Sequence, residues 1–327
     1  MLYYTRKCYT RTMKKISILI PAYNEQASLE HLFQRIGTLA NNNKSYEFEF
    51  LFVDDGSKDK TLETIKEFAE TDERVSYVSL SRNFGKEIAM IAGLDHATGD
   101  AVVLIDADLQ DPPELIPKML KYWEDGYDDV YARRVSRDGE SWLKKTSSKL
   151  YYQILQKTTN IPIQIDTGDF RLLDRRCVES LKLMRESQRY TKGMFSWIGY
   201  NKKEITYHRD ARVAGQTKWN YAKLINFAID GLTSFTTAPL RISSFLGVIV
   251  SAVAFIYIVI IVIKTLLFGT DLAGYPSMMA VILFLGGLQL LSLGVIGEYI
   301  GRIFNETKGR PLYLTKEYHA KPVKKTR

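Results

Sequence analysis

The first half of the chain alternates between two hydrophobic rhythms. Short, nearly continuous apolar runs lie at Ile16–Ile20, Phe48–Val53, Val75–Leu80 and Ala101–Ile105. Between and after them, Leu29–Leu39, Leu62–Phe68, Lys86–His96 and Glu114–Trp123 carry apolar residues at helical spacing, and Asp59 is placed to cap the second of these. Val130-Tyr131-Ala132 adds another strand-like run. Strands alternating with helices predict an α/β fold with a mostly parallel, doubly wound sheet. A helical stretch from Trp142 to Leu155 leads away from it, and Asp166–His208 has no clear period. From Lys218 to Leu240 the pattern of Trp219, Leu224, Ile225, Phe227, Ala228, Leu232 and Phe235 suggests amphipathic helix lying at a membrane interface.

The pattern then changes. No charge occurs between Arg241 and Lys264, nor between Asp271 and Glu298. Each run is about 22 residues or longer, roughly 33 Å as helix against a hydrocarbon core of about 30 Å. Two transmembrane helices are therefore expected within residues 242–304. The connector Gly269–Ser277 holds one Asp and no Lys or Arg, whereas Lys218, Lys223, Arg241, Arg302, Lys308 and Arg310 flank the hairpin. The positive-inside tendency places both termini and the soluble part in the cytoplasm of a two-pass protein in the cell membrane. Met13-Lys14-Lys15 resembles a natural start, so residues 1–12 read as an extension and 13–217 as the soluble domain, with interfacial helices at 218–241.

Charge and composition narrow the partners. The 327-residue chain has a net charge of +8, but no aromatic-basic module of the kind that binds RNA, so no nucleic-acid partner is expected. The basic tail, residues 305–327, is explained by attraction to anionic lipid headgroups. Gly297 and Gly301 offer a place for close helix contact, and Glu298 and Arg302 a local ion pair one turn apart. Cys8 and Cys177 build no disulfide framework, and the four His are scattered, against a zinc site.

The strongest chemical signal follows the fourth strand. Asp106-Ala107-Asp108-Leu109-Gln110-Asp111-Pro112-Pro113 crowds three carboxylates that repel one another without a counter-charge. The apolar run before them sets them at the carboxyl end of a buried strand, where open α/β sheets bind ligands. Oxygen ligands without His or Cys suit Mg²⁺ or Mn²⁺ completed by substrate phosphates. Two more loops, Pro21-Ala22-Tyr23-Asn24-Glu25 and Asp54-Asp55-Gly56-Ser57-Lys58-Asp59, end the first and second strands. In a parallel sheet all three converge on one edge.

With Ser81-Arg82-Asn83-Phe84-Gly85-Lys86, Asp166-Thr167-Gly168-Asp169-Phe170-Arg171, Arg189-Tyr190-Thr191-Lys192-Gly193 and Arg212–Trp219, this ordered set resembles the nucleotide-sugar glycosyltransferases of family 2, whose fold is called GT-A. The C-terminal hairpin makes it similar to the polyprenyl-phosphate branch, with the dolichyl-phosphate mannose synthases and bactoprenol glucosyltransferases. The resemblance implies an inverting transfer of a sugar to a polyprenyl phosphate for cell-envelope glycosylation. UDP-glucose is favoured as donor over UDP-GlcNAc and GDP-mannose, and undecaprenyl phosphate as acceptor. It implies that Pro21, Ala22, Tyr23, Glu25, Asp54, Asp106 and Ala107 bind the nucleotide, and that Asp106, Asp108 and Gln110 surround the cation. Arg133 and Arg134 would face the acceptor phosphate, Arg212 and Lys218 would bind phosphate on a mobile loop, and Asp169 would lie near the reacting sugar. A phosphate monoester is already largely a dianion at neutral pH, so Asp169 is expected to orient rather than to act as an essential base. The resemblance leaves a homo-oligomer open.

Two other readings fit parts of the chain. A processive polysaccharide synthase of the same superfamily would carry Gln-x-x-Arg-Trp, which Gln188-Arg189-Tyr190 and Trp197 do not reproduce, and two helices cannot enclose a polymer channel. A non-catalytic nucleotide-sugar-binding scaffold would have little use for an intact acidic cluster.

Overall fold

A computed structural model describes residues 13–134, 164, 167–187, 189–207, 236–268 and 274–320. The helical stretch expected at Trp142–Leu155, the interfacial helices up to residue 235, Arg212 and Lys218 lie outside the described residues.

The expected alternation is present: β1 (Lys14–Ala22), α1 (Gln26–Asn42), β2 (Tyr46–Asp54), α2 (Thr61–Thr71), β3 (Val75–Leu80), α3 (Lys86–His96), β4 (Ala101–Leu104), a 3₁₀ turn at Pro113–Leu115, α4 (Ile116–Glu124) and β5 (Asp129–Arg134). Asp59 accepts the Thr61 N–H at the start of α2 (3.0 Å), as its spacing predicts. The stretch without clear period is more regular than it reads. It forms β6 (Thr167–Asp174), α5 (Arg175–Leu183), α6 (Thr191–Trp197) and β7 (Lys202–Tyr207).

One sheet runs in the order β7-β5-β6-β4-β1-β2-β3-β8, where β8 is Thr315–His319. Its centre, β4-β1-β2-β3, is parallel, while β6 runs antiparallel to both β4 and β5. The sheet is therefore doubly wound but mixed. Its apolar strands are buried on both faces, as near-continuous Val/Ile/Leu/Phe runs require. Ile18, Ile20, Phe50 and Phe52 pack under α1, α2 and α4, and Leu19, Leu51, Val78 and Val102 under α3, α5 and α6.

α7 (Ala238–Phe268) and α8 (Tyr275–Thr307) form an antiparallel pair, with the Ser243 and Ser292 hydroxyls 2.9 Å apart and the Tyr299 hydroxyl donating to the Thr236 carbonyl (2.8 Å). Two segments, Ala238–Tyr257 and Phe284–Thr307, are long and apolar enough to cross a membrane. Their apolar side chains face outward, Phe255 and Leu290 among them. Glu298 and Arg302 form the local ion pair expected (2.9 Å). Nothing described approaches Gly297 or Gly301 closely enough to make either a close helix contact.

Part of the basic tail is also a structural element: residues 315–319 form the edge strand β8, antiparallel to β3. Glu317 pairs with Lys66 (2.7 Å) and accepts from the Tyr77 hydroxyl (2.6 Å), while the Tyr313 hydroxyl donates to Asp95 (2.8 Å). Just before it, Glu306 in the last turn of α8 accepts from both the N–H and the hydroxyl of Ser187, each at 2.7 Å. The hairpin is thus stitched back onto the α/β domain after it ends. β8 also covers the row of N–H and C=O groups that β3 would otherwise expose.

Candidate active site

The site grows from loops at the carboxyl edge of the parallel strands. Asn24, in the left-handed region (φ 54°), joins the first two loops: its side-chain Oδ1 accepts the Lys58 N–H (2.8 Å) and its backbone N–H donates to the Ser57 hydroxyl (3.0 Å). The Asp55 N–H donates to the Ala22 carbonyl (2.9 Å). Pro21 and Ala22 are buried at the end of β1, and Tyr23 and Glu25 stand half-buried above them. Asp54 is buried, with one carboxylate oxygen accepting from the Ser57 N–H and the other from the Ser79 hydroxyl, both at 3.0 Å.

Asp55 holds a fourth loop that sequence reasoning left out of the converging set. Its carboxylate accepts from the Phe84 N–H (2.7 Å), the Gly85 N–H (2.9 Å) and the Asn83 side-chain amide (3.0 Å), anchoring the loop after β3. Burial raises the Asp55 pKa, opposed by the two backbone N–H groups. Gly56 makes this contact close: a Cβ there would stand 2.4 Å from the Arg82 carbonyl carbon. The anchored loop ends at Lys86, the first residue of α3.

Lys86 supplies the counter-charge that the acidic loop demands. Its ammonium lies 2.7 Å from Asp106 and 2.6 Å from Asp169. Burial alone would lower the Lys86 pKa, but the two carboxylates outweigh it and hold the ammonium charged. In the loop itself burial alternates: Ala107, Leu109 and Asp111 face the core, whereas Asp106, Asp108 and Gln110 are partly exposed. A left-handed Leu109 (φ 60°) turns the chain, and the Gln110 N–H donates to Asp108 (3.2 Å). This alternation aligns the three residues expected to surround a cation. The Gln110 side-chain carbonyl is buried without a hydrogen-bond partner, a cost that a hard cation in reach of it would relieve. Among the described residues no three His, Cys, Asp or Glu side chains form a complete metal cage. Two carboxylates and an amide oxygen fit a Mg²⁺ or Mn²⁺ ion completed by substrate phosphates.

Behind the loop, Asp111 accepts a short hydrogen bond from the Tyr207 hydroxyl, which in turn accepts from Arg134 Nε (3.3 Å). Burial and the nearby Asp106 charge push the Asp111 carboxyl up to about 6. Arg134 therefore belongs to the acidic loop's surroundings. Arg133, expected beside it, does not: strand alternation turns it to the other face of β5, where it pairs with Glu204 on β7 (3.1 Å). The two arginines expected to face the acceptor phosphate thus lie on opposite faces of β5.

Asp169 enters from β6, in register just beyond the β4 pairing that ends at Leu104 and Arg171. Burial would raise its pKa, yet Lys86, Lys192 and Arg171 outweigh that and hold the carboxyl well below the usual range. Beside it, Glu87 accepts the Thr191 N–H (2.9 Å); burial, then the Asp169 charge, push Glu87 up to about 7. Beneath lies a fully buried ion pair, Arg171 with Asp129 (3.1 Å), the guanidinium 3.7 Å from the Phe195 ring centroid.

The structure thus brings Asp106, Asp108, Gln110, Asp169 and Arg134 to one region, next to loops bearing Pro21, Ala22, Tyr23, Glu25 and Asp54. Lys86, Asp55 and Lys192, each inside a motif quoted above but given no role there, and Glu87 join them. The signal for Lys86 was its place directly after a strand-end loop on that same edge.

A mixed α/β sheet with acidic strand-end loops is a framework suited to GT-A glycosyl transfer, and the sequence comparisons show that class. The family model for glycosyl transferase family 2 matches residues 17–182, and a model named GtrB C-terminal hairpin matches 238–303; the chain belongs to glycosyltransferase family 2. It is 49% identical over 303 residues to an uncharacterized glycosyltransferase of Synechocystis sp., covering 93% of this chain and 95% of that protein. A prophage bactoprenol glucosyl transferase homolog of Escherichia coli is 45% identical over 302 residues, 92% of this chain and 98% of its own. The bactoprenol glucosyl transferase of Shigella phage SfX is also 45% identical over 302 residues, 92% and 99% of the two chains.

Proposed function

We propose that this glycosyltransferase moves glucose from UDP-glucose to a polyprenyl phosphate at the cytoplasmic surface of the cell membrane, with inversion at the sugar carbon. The observation that carries the reading is the union of two features in one body. An acidic strand-end loop with an orphaned Gln110 carbonyl lies on a domain tied by Glu306 and β8 to a hairpin apolar enough for lipid. The relatives named as bactoprenol glucosyl transferases support glucose and a polyprenyl phosphate. Because β8 shares a sheet with β1–β3, the segments before and after the hairpin belong on one side of the bilayer. The basic flanks favour the cytoplasmic side.

Asp106, Asp108 and Gln110 would hold Mg²⁺ or Mn²⁺, which when bound neutralises charge growing on the diphosphate leaving group. Pro21, Ala22, Tyr23, Glu25 and Ala107 shape the nucleotide pocket, and Asp54 braces it from beneath through Ser57 and Ser79. Arg134 would orient the acceptor phosphate, together with Arg212 and Lys218. One acceptor phosphate oxygen forms a bond to the sugar C1 as the C1–O bond to the diphosphate breaks. The departing diphosphate keeps the electron pair. No proton has to move, since the acceptor is already a dianion. Asp169 suits this chemistry: a carboxylate held so firmly anionic by Lys86 and Lys192 is a poor proton acceptor but a good anchor.

The test incubates purified protein and Mn²⁺ with undecaprenyl phosphate and a panel of nucleotide-sugars, with mass spectrometry and proton NMR of the lipid. A β-linked glucosyl lipid phosphate from the α-linked donor is expected. An α-linked product, or no lipid product from any donor, would refute the proposal.

A further inference from the structure

Lys86 is the one cation that touches both carboxylates flanking the candidate reaction centre among the described residues. Asp106 comes from the end of β4 and Asp169 from β6, so the ammonium bridges two strands. Its side chain is 44% exposed along a flexible stem, while the ammonium end is packed between the two carboxylates. Asp106 also has a second claimant, since on the proposed function it is a ligand of the divalent cation. A single carboxylate cannot serve an ammonium at 2.7 Å and a dication at full strength together.

We infer that Lys86 is a built-in counter-ion that competes with the divalent cation for Asp106, and so makes cation capture depend on the nucleotide diphosphate. This rests on the proposed assignment of Asp106 and Asp108 as cation ligands. The ammonium has somewhere to go when Asp106 changes partner. Asp169 already holds it at 2.6 Å, and the other Asp169 oxygen is buried with no hydrogen-bond partner. Shifting onto Asp169 leaves it still close to the dication, and that repulsion is relieved once a diphosphate brings negative charge between them. A lysine suits the exchange better than an arginine would, because a point charge on a flexible stem is handed over without breaking a bidentate fork. The cation and the diphosphate are then linked, each raising the other's affinity by the same factor.

The alternative is that Lys86 merely ties α3 to β4 and β6. The two roles differ in sign. Losing a tie loosens Asp106 and weakens cation binding; losing a competitor strengthens it. The experiment titrates Mn²⁺ into purified full-length protein, with and without UDP, and reads free Mn²⁺ by electron paramagnetic resonance. For the wild type, UDP should tighten Mn²⁺ binding by about 5- to 150-fold, the usual span of such couplings. Lys86→Met should bind Mn²⁺ alone more tightly than the wild type, by about tenfold if one competing charge has been removed, and the gain from UDP should shrink. Lys86→Arg, which keeps the competing charge, should bind Mn²⁺ alone no more tightly than the wild type. Should Lys86→Met fail to fold, Lys86→Gln carries the same expectation. Mn²⁺ affinity without UDP that is unchanged or weaker in the uncharged variant overturns the inference while leaving the cation assignment standing. No uptake of Mn²⁺ by the wild type even with UDP overturns the assignment itself.

Discussion

Gly56→Ala is a small change with two separable costs. The residue sits at φ 66°, where an alanine side chain costs about 1–2 kcal/mol. Its new Cβ would also stand 2.4 Å from the Arg82 carbonyl carbon, 2.7 Å from the Asn83 nitrogen and 2.8 Å from the Arg82 Cα, all of them backbone. Carbon atoms in contact prefer about 3.5–4.0 Å, so the loops after β2 and β3 have to part by about 1 Å, at the roughly 1–3 kcal/mol typical of overpacking. The sum is about 3 kcal/mol, or roughly 6–12 °C in melting temperature for a domain of this size. The gap opens where Asp55 holds Asn83, Phe84 and Gly85, and so moves Lys86 relative to Asp106 and Asp169. A displacement of about 1 Å can cost ~10²-fold in turnover. Gly126→Ala isolates the conformational cost: it lies at φ 101° with nothing near its Cβ, far along the chain from these loops. Thermal melts and sugar-transfer rates of both variants decide the matter. The reasoning fails if Gly56→Ala melts with Gly126→Ala and turns over like the wild type.

Other outcomes follow from the same geometry. Arg134→Met should raise the KM for lipid phosphate by roughly 10- to 150-fold, the worth of a charge-assisted hydrogen bond of about 1.5–3 kcal/mol. Arg133→Met should cost far less, because its partner Glu204 is an exposed neighbour; equal effects on KM would dissolve the distinction drawn between them. Glu87, raised from 4.5 to about 7, keeps in the folded state a proton that the unfolded chain releases, so its contribution is intact below about pH 4.5 and lost as pH rises through 7. Glu87→Gln should therefore melt higher than the wild type at pH 8, by at most about 3 kcal/mol, and equally at pH 4.5; a pH-independent difference would contradict this. Ending the chain after Gly309 removes β8 and bares the edge of the wholly buried β3. Aggregation on size exclusion and a lower melting temperature are expected, and a monodisperse, equally stable product would show β8 to be dispensable.

Much of this was legible because burial writes itself into the strands. β1 to β4 are apolar on both faces, and the helices between them carry one buried stripe each, so both rhythms survive in the sequence. β6 is different: Thr167-Gly168-Asp169-Phe170-Arg171 is a buried strand carrying two charges, one aimed at the site and one neutralised by Asp129 across the sheet. Function broke the pattern that would have announced it. β8 was hidden for another reason. As an edge strand of Thr, Lys, Glu, Tyr and His it has no apolar face to repeat, and its partner β3 lies more than two hundred residues away in the chain. At the site, the acidic loop was readable because three close carboxylates need an explanation. Lys86 was not, since its partners come from strands that only the sheet order brings together. Nor was the split between Arg133 and Arg134 readable, since adjacent residues in a strand look like neighbours in sequence yet face opposite ways.

The most direct test measures transfer of glucose from UDP-glucose to undecaprenyl phosphate in Mn²⁺, before and after chelation, for the wild type, Asp108→Ala and Asp169→Asn. Chelation and Asp108→Ala should each abolish transfer, and restored Mn²⁺ should revive only the wild type and Asp169→Asn, the latter slowed but active. Transfer that survives chelation, or an Asp169→Asn enzyme as dead as Asp108→Ala, would contradict a cation-held leaving group attacked by a phosphate that needs no base.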